Sequence, residues 1–112
     1  MSHDLPRLLF VCSRNLRRSL TAEHLLRRST ECEVRSAGTA ASARTRVRED
    51  DLEWADIVFV MEPEHADQLR ARFRDAFATC DVECLDIPDE YGYMQPELVE
   101  ALDPTIATYL GR

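Results

Sequence analysis

Along the chain, short apolar runs alternate with longer stretches of helical period. Leu8–Val11 is an apolar run that ends at Cys12 and predicts a buried strand. Ser19–Arg28 predicts a helix, with Leu20, Leu25 and Leu26 apolar and Thr21, Glu23 and arginines between them. Glu33–Arg35 predicts a second short strand, closed by a turn at Ser36-Ala37-Gly38-Thr39. Residues 40–48 are small and polar and predict a surface loop; Glu49–Ala55 predicts a helical turn. Ile57–Met61 is apolar throughout and predicts a strand buried on both faces. Pro63 suits the first turn of a helix, which runs to about Phe73. Val82–Ile87 predicts the fourth strand and Pro88–Met94 a loop. Pro96 then opens a last helix that reaches Leu110 and stops at Gly111 and Arg112.

Strands alternating with helices predict an α/β fold, a four-stranded, mostly parallel sheet with helices on both faces. Ligands of such sheets sit at the carboxyl ends of the strands. The loops 12–19, 61–63 and 88–94 are therefore expected to meet at one edge. With 112 residues, no repeat and no linker-like stretch, one domain spanning 1–112 is expected. A hydrophobic content of 45% suffices for a small core without metal or disulfide staples.

Charge narrows the function. The formal net charge is −7, and all 14 basic residues are arginine. An acidic chain argues against general binding of nucleic acid, which needs a basic face. A local cationic pocket is a different matter, because Arg14, Arg17 and Arg18 fall within five residues. No apolar run has the length of a membrane span, and Met1–Pro6 lacks the pattern of a signal peptide. A cytoplasmic location is expected, with Cys12, Cys32, Cys80 and Cys84 reduced. Cys80 and Cys84 in one strand would stand ~13 Å apart, beyond the ~7 Å reach of a disulfide. With Cys32 they read as ordinary buried cysteines. No cysteine spacing and none of His3, His24 or His65 has ligand spacing, so no metal and no cofactor is expected.

The segment Val11-Cys12-Ser13-Arg14-Asn15-Leu16-Arg17-Arg18-Ser19 carries the chemistry. A strand ends at a cysteine; after five intervening residues an arginine and a serine open a helix. Five residues wrap as a nest of inward N–H groups that binds an anion, and the helix start adds the positive end of its dipole. Arg18 supplies a planar fork for two phosphate oxygens. Cys12 lies at the base of the nest, where a thiolate is stabilised, and Ser19 has a hydroxyl to donate to it. Asn15 is one of the few residue types that tolerates a positive φ. Ser13, Arg14, Asn15, Leu16, Arg17 and Ser19 are the expected substrate-binding residues around the nucleophile.

These residues resemble the loop of the low-molecular-weight protein tyrosine phosphatases, C-x-G-N-x-C-R-S-P, which here reads C-S-R-N-L-R-R-S-L. Ser36-Ala37-Gly38-Thr39 is similar to the family's S-A-G-T segment, and Ala55–Glu62 to its third strand and turn. The resemblance covers most of the chain in the family's order and implies a phosphotyrosine phosphatase I-like fold. It implies a metal-independent hydrolase acting through a phosphocysteine, with Cys12 as nucleophile and Arg18 as phosphate clamp. The chain departs from the pattern at Arg14 for Gly, Arg17 for the second loop cysteine and Leu20 for Pro, and it is shortened after Thr39. With Arg17 in that place, Cys12 has no neighbouring cysteine for a disulfide.

The family takes its leaving-group proton from an Asp-Pro loop after strand four. Here the region reads Asp86-Ile87-Pro88-Asp89-Glu90-Tyr91-Gly92-Tyr93 without that dipeptide. Asp89, in the Pro-led loop with an aromatic two residues on, is the expected acid; Asp86, near the end of the strand, is the alternative. Tyr91 is expected to flank the phosphorylated ring, while Tyr93 and Trp54 read as packing. The expected partner is a phosphotyrosine protein or a small aryl phosphate. Two other functions share the loop. An arsenate reductase needs further relay cysteines after strand three, where this chain has Met61-Glu62-Pro63. A binding module for phosphate or phosphotyrosine needs no acid at all.

Overall fold

The computed structural model describes residues 5–110. Met1–Asp4, with His3, and the helix stop expected at Gly111 and Arg112 lie outside them. The elements run β1 (Arg7–Cys12), α1 (Arg18–Leu26), β2 (Glu33–Gly38), α2 (Glu49–Trp54), β3 (Ile57–Val60), α3 (Pro63–Arg72), α4 (Arg74–Ala78), β4 (Val82–Cys84) and α5 (Pro96–Leu110). The strands form one sheet in the order β2-β1-β3-β4, and every pairing is parallel. Among the described residues no helix is long and apolar enough to cross a membrane.

β1 lies inside the sheet, so its apolar run feeds two cores. Leu8, Phe10 and Cys12 pack with Ala22 and Leu26 of α1 and Leu98, Leu102 and Ile106 of α5. Leu9 and Val11 face the other way, onto Val47, Leu52 of α2, Leu69 of α3 and Phe77 of α4. Phe10 and Phe59 stack at 4.9 Å between centroids. Burying each such side chain is worth about 1.5–3 kcal/mol, which is why this strand reads as continuous rather than alternating apolar.

From β1 the chain goes outward to β2 on one side and then returns past β1 to β3 on the other. The order reverses at the carboxyl end of β1. Helices leaving β1 and β3 depart to opposite faces there, which opens a crevice.

Five local expectations need correction. Ser36-Ala37-Gly38 is the end of β2, not a turn: Ser36, Ala37 and Gly38 pair with Phe10, Val11 and Cys12. A Cβ on Gly38 would stand 2.5 Å from the Ser13 carbonyl oxygen and 2.6 Å from Ala43 Cβ, so the small residues here admit the loop that crosses them. The 40–48 segment is not wholly superficial, because Val47 is fully buried. β4 ends at Cys84 rather than at Ile87, since Asp86 adopts φ 54°. The chain also breaks at Phe73, and a short helix the pattern did not announce, α4, brings Phe77 into the core. Cys84 is exposed and Cys80 half-buried, rather than core residues, and neither forms a disulfide. Trp54 ends α2, where the Arg35 guanidinium lies 4.3 Å from its ring centroid.

Candidate active site

The loop between β1 and α1 is held from outside. The amides of Thr39, Ala40 and Arg44 donate to the carbonyls of Cys12, Ser13 and Arg14, each at 2.9 Å. This strap draws the loop's carbonyls away from its centre. Among the described residues the amides of 13–17 have no protein acceptor, as an anion nest requires. They border a cleft of about 380 Å³, lined by Cys12, Ser13 and Arg18 with Arg14, Leu16, Arg17 and Asp89 around them.

Asn15 shapes this loop. It adopts φ 58° and is fully buried. Its Nδ2 donates to Ser19 Oγ and to Ser36 Oγ, both at 2.8 Å, and Ser36 Oγ donates in turn to Glu23. Ser19 Oγ lies 2.9 Å from Cys12 Sγ. With its oxygen accepting from Asn15, the Ser19 hydroxyl has its proton to give either to the sulfur or to the Ala37 carbonyl, 3.4 Å away. A hydroxyl donating to sulfur stabilises the thiolate, which is the nucleophilic form.

Arg18 is the first residue of α1 and is 2% exposed. One terminal nitrogen donates to the Glu62 carboxylate and to the Ile87 carbonyl at 2.8 Å. Glu62 follows β3 and Ile87 follows β4, so the three loops expected to meet do meet at Arg18. This bracing fixes the fork while its Nε side faces Asp89 Oδ1 at 3.8 Å. A buried charge of this kind needs a partner, and Glu62 supplies it.

Asp89 lines the cleft, and its side chain is 56% exposed. Asp86 does not line it; its carboxylate accepts from Cys84 Sγ at 3.8 Å instead. Tyr91, expected beside the substrate, does not line the cleft either. The left-handed turn at Asp86 and the path of the loop lay it half-buried against the α1/α5 core. Tyr93 is exposed and meets His24, its hydroxyl against Nδ1. Arg14, Leu16 and Arg17 form the exposed rim.

Two site residues escaped the sequence reading. Glu62 and His65 belong to the N-terminus of α3, where they form a reciprocal cap: the Glu62 amide donates to His65 Nδ1 at 3.1 Å, and the His65 amide to the Glu62 carbonyl at 3.0 Å. His65 is fully buried, and its Nε2 lies 3.0 Å from Ser13 Oγ. Burial, and next the Arg18 charge, lower its pKa to about 4, against the opposing pull of Glu62 and Asp89. The available signal was position: Glu62 lies within the segment 61–63 already assigned to the site edge, and His65 follows it by two residues. Glu62, Glu64 and His65 also bring one donor atom each within 4.8 Å. Glu62 is committed to Arg18, however, and both imidazole nitrogens are engaged, so these groups are spoken for as they stand.

The sequence matches no protein-family model and no curated protein. Solved structures do match. YwlE arginine phosphatase from Geobacillus stearothermophilus is 25% identical with a TM-score of 0.68, over 95% of this chain and 88% of that one. The tyrosine phosphatase Wzb from Escherichia coli K30, in complex with phosphate, is 19% identical with a TM-score of 0.77, over 96% and 98%. A low-molecular-weight protein tyrosine phosphatase from T. tengcongensis is 20% identical with a TM-score of 0.69, over 95% of each chain. The cysteine loop, its order along the chain and the parallel sheet behind it thus converge: this chain has the fold of the low-molecular-weight protein tyrosine phosphatases.

Proposed function

We propose that the chain is a cysteine-dependent phosphomonoester hydrolase acting on phosphotyrosine in proteins or on small aryl phosphates. The observation that carries this is one cleft bordered by the Cys12 sulfur, the unbonded amides of 13–17, the Arg18 guanidinium and the Asp89 carboxyl group. The thiolate attacks phosphorus, and the bond to the leaving oxygen breaks. Arg18 and the loop amides hold the equatorial oxygens as charge shifts onto them. Protonated Asp89 gives its proton to the departing phenolate oxygen. As carboxylate it then takes a proton from a water that attacks the phosphocysteine. The phosphorus–sulfur bond breaks, which releases inorganic phosphate and restores the thiolate.

The rim favours an aromatic ester over the phosphoarginine implied by the name of one structural relative. A phosphoarginine leaving group carries a cationic guanidinium, and exposed Arg14 and Arg17 flank the cleft. Arsenate reduction lacks support, because Cys12 is the cysteine lining the cleft and the segment after β3 holds none.

The test is hydrolysis of para-nitrophenyl phosphate by the wild type and by Cys12→Ser. Turnover by the wild type alone supports the reading, and equal rates overturn it. A wild type that binds phosphate tightly without turnover identifies a binding module.

A further inference from the structure

We infer that His65 aims the Ser13 hydroxyl into the cleft, so that Ser13 acts as a side-chain donor to the bound phosphoryl group and His65 as its positioning residue. The inference rests on the phosphate-loop reading above and adds a component to it. Proton placement carries the argument. The Glu62 amide has a proton to give, so His65 Nδ1 must accept it. A neutral imidazole with an accepting Nδ1 carries its proton on Nε2. That proton faces Ser13 Oγ, 3.0 Å away. The Ser13 oxygen is thereby an acceptor from His65, and its own proton is directed elsewhere. Ser13 lines the cleft beside Cys12 and Arg18, where an anion provides the acceptor.

The charged groups facing His65 keep it in this state. Arg18 from α1 opposes a second positive charge, while Glu62 from the β3–α3 junction and Asp89 from the loop after β4 favour one; burial decides for the neutral ring. A role confined to capping α3 accounts for Nδ1 alone. It leaves the engagement of Nε2 with the loop without a purpose.

The experiment is a double-mutant cycle on binding of inorganic phosphate, measured by calorimetry so that it does not depend on turnover. Ser13→Ala should weaken binding about tenfold or more, the loss of one hydrogen bond to a charged group. His65→Met should weaken it by a similar or smaller factor, and the double variant no more than Ser13→Ala. His65→Gln should restore near-normal binding, since its amide offers an acceptor and a donor in the places of Nδ1 and Nε2. The nitrogen chemical shifts of His65 at pH 7 should show the proton on Nε2. Additive losses, undiminished phosphate binding by Ser13→Ala, the opposite tautomer or a wild type that does not bind phosphate would each overturn the inference. Should the wild type bind phosphate with this coupling but hydrolyse nothing, the enzymatic reading fails and this one stands.

Discussion

On one side of the cleft Asn15 and Ser19 are fully buried and Arg18 is 2% exposed; on the other, the Asp89 side chain is 56% exposed. The first side is tied from behind. The 39–44 strap holds its carbonyls, Asn15 and Ser19 hold its interior, and Glu62 with Ile87 brace its arginine. The second side hangs from a loop whose acid, among the described residues, makes ion pairs only at 3.8 Å, to Arg17 and Arg18. The difference follows the chemistry. Dipoles that stabilise a developing charge work best when they need no reorganisation. An acid must meet leaving groups of different shape, and exposure leaves it room to adjust.

If the buried side is rigid by construction, its arginine should tolerate no near-equivalent. Arg18→Lys keeps the charge but lacks the fork and the second anchor. Turnover should fall about 10²–10³-fold, the usual cost of losing a preorganised donor, and steady-state kinetics on an aryl phosphate would measure it. A loss below tenfold means that the loop amides alone bind the phosphoryl group. On the exposed side, Asp89→Asn should cost ~10²–10⁴-fold on phosphotyrosine and far less on an ester of an acidic phenol. Asp86→Asn should leave leaving-group dependence intact. The reverse pattern would move the acid to Asp86.

The two sides also differed in how far the sequence disclosed them. Cys12, Asn15, Arg18 and Ser19 sit within eight residues, between an apolar run and a helix, so local pattern sufficed to place them together. Leu8–Val11, Ile57–Val60 and the proline-led starts of α3 and α5 were legible for the same reason. Ser36–Gly38 was not, because small residues suit turns by composition and serve here as strand under a crossing loop. Tyr91 was misplaced because the left-handed backbone at Asp86 redirects the chain, and an aspartate does not announce such a φ. His65 meets Ser13 across 52 positions; only the reversal of strand order between β1 and β3 brings them together.

Gly38 tests whether the buried side depends on its support from behind. Gly38→Ala places a methyl group 2.5 Å from the Ser13 carbonyl oxygen, which is backbone and cannot step aside cheaply. Overpacking of this sort costs about 1–3 kcal/mol. Displacing the loop should lower turnover as much as about 10²-fold, and thermal unfolding together with kinetics would separate the two losses. Unchanged turnover would mean that the strap does not set the loop's geometry. His65 gives the pH counterpart. Its pKa falls from 6.5 in a free side chain to about 4 in the fold, so the unfolded chain binds the proton first. Its contribution to stability is therefore complete above pH 6.5, erodes as pH falls toward 4 and is constant below. The erosion should amount to about 3 kcal/mol, read as denaturant midpoints across that range, and His65→Gln should abolish this component.

The smallest effect belongs to the neighbour of the buried arginine. Arg17 and Arg18 share a charge and face the same Asp89 oxygen at 3.8 Å, yet the Arg17 side chain is 55% exposed. Exposure sets the difference in magnitude. An ion pair in water contributes about 0.2–1 kcal/mol and is screened by salt. Arg17→Ala should therefore change kcat/KM for a small aryl phosphate by only about two- to fivefold at low ionic strength. The change should shrink as salt is raised past the point where the Debye length falls below ~8 Å. In an Asp89→Asn background the effect should shrink further, because the charge that Arg17 faces is gone. A hundredfold loss in Arg17→Ala, insensitive to salt, would place Arg17 among the groups that hold the phosphoryl oxygens. The line between the tied side and the loose side would then have to be redrawn one residue earlier in the loop.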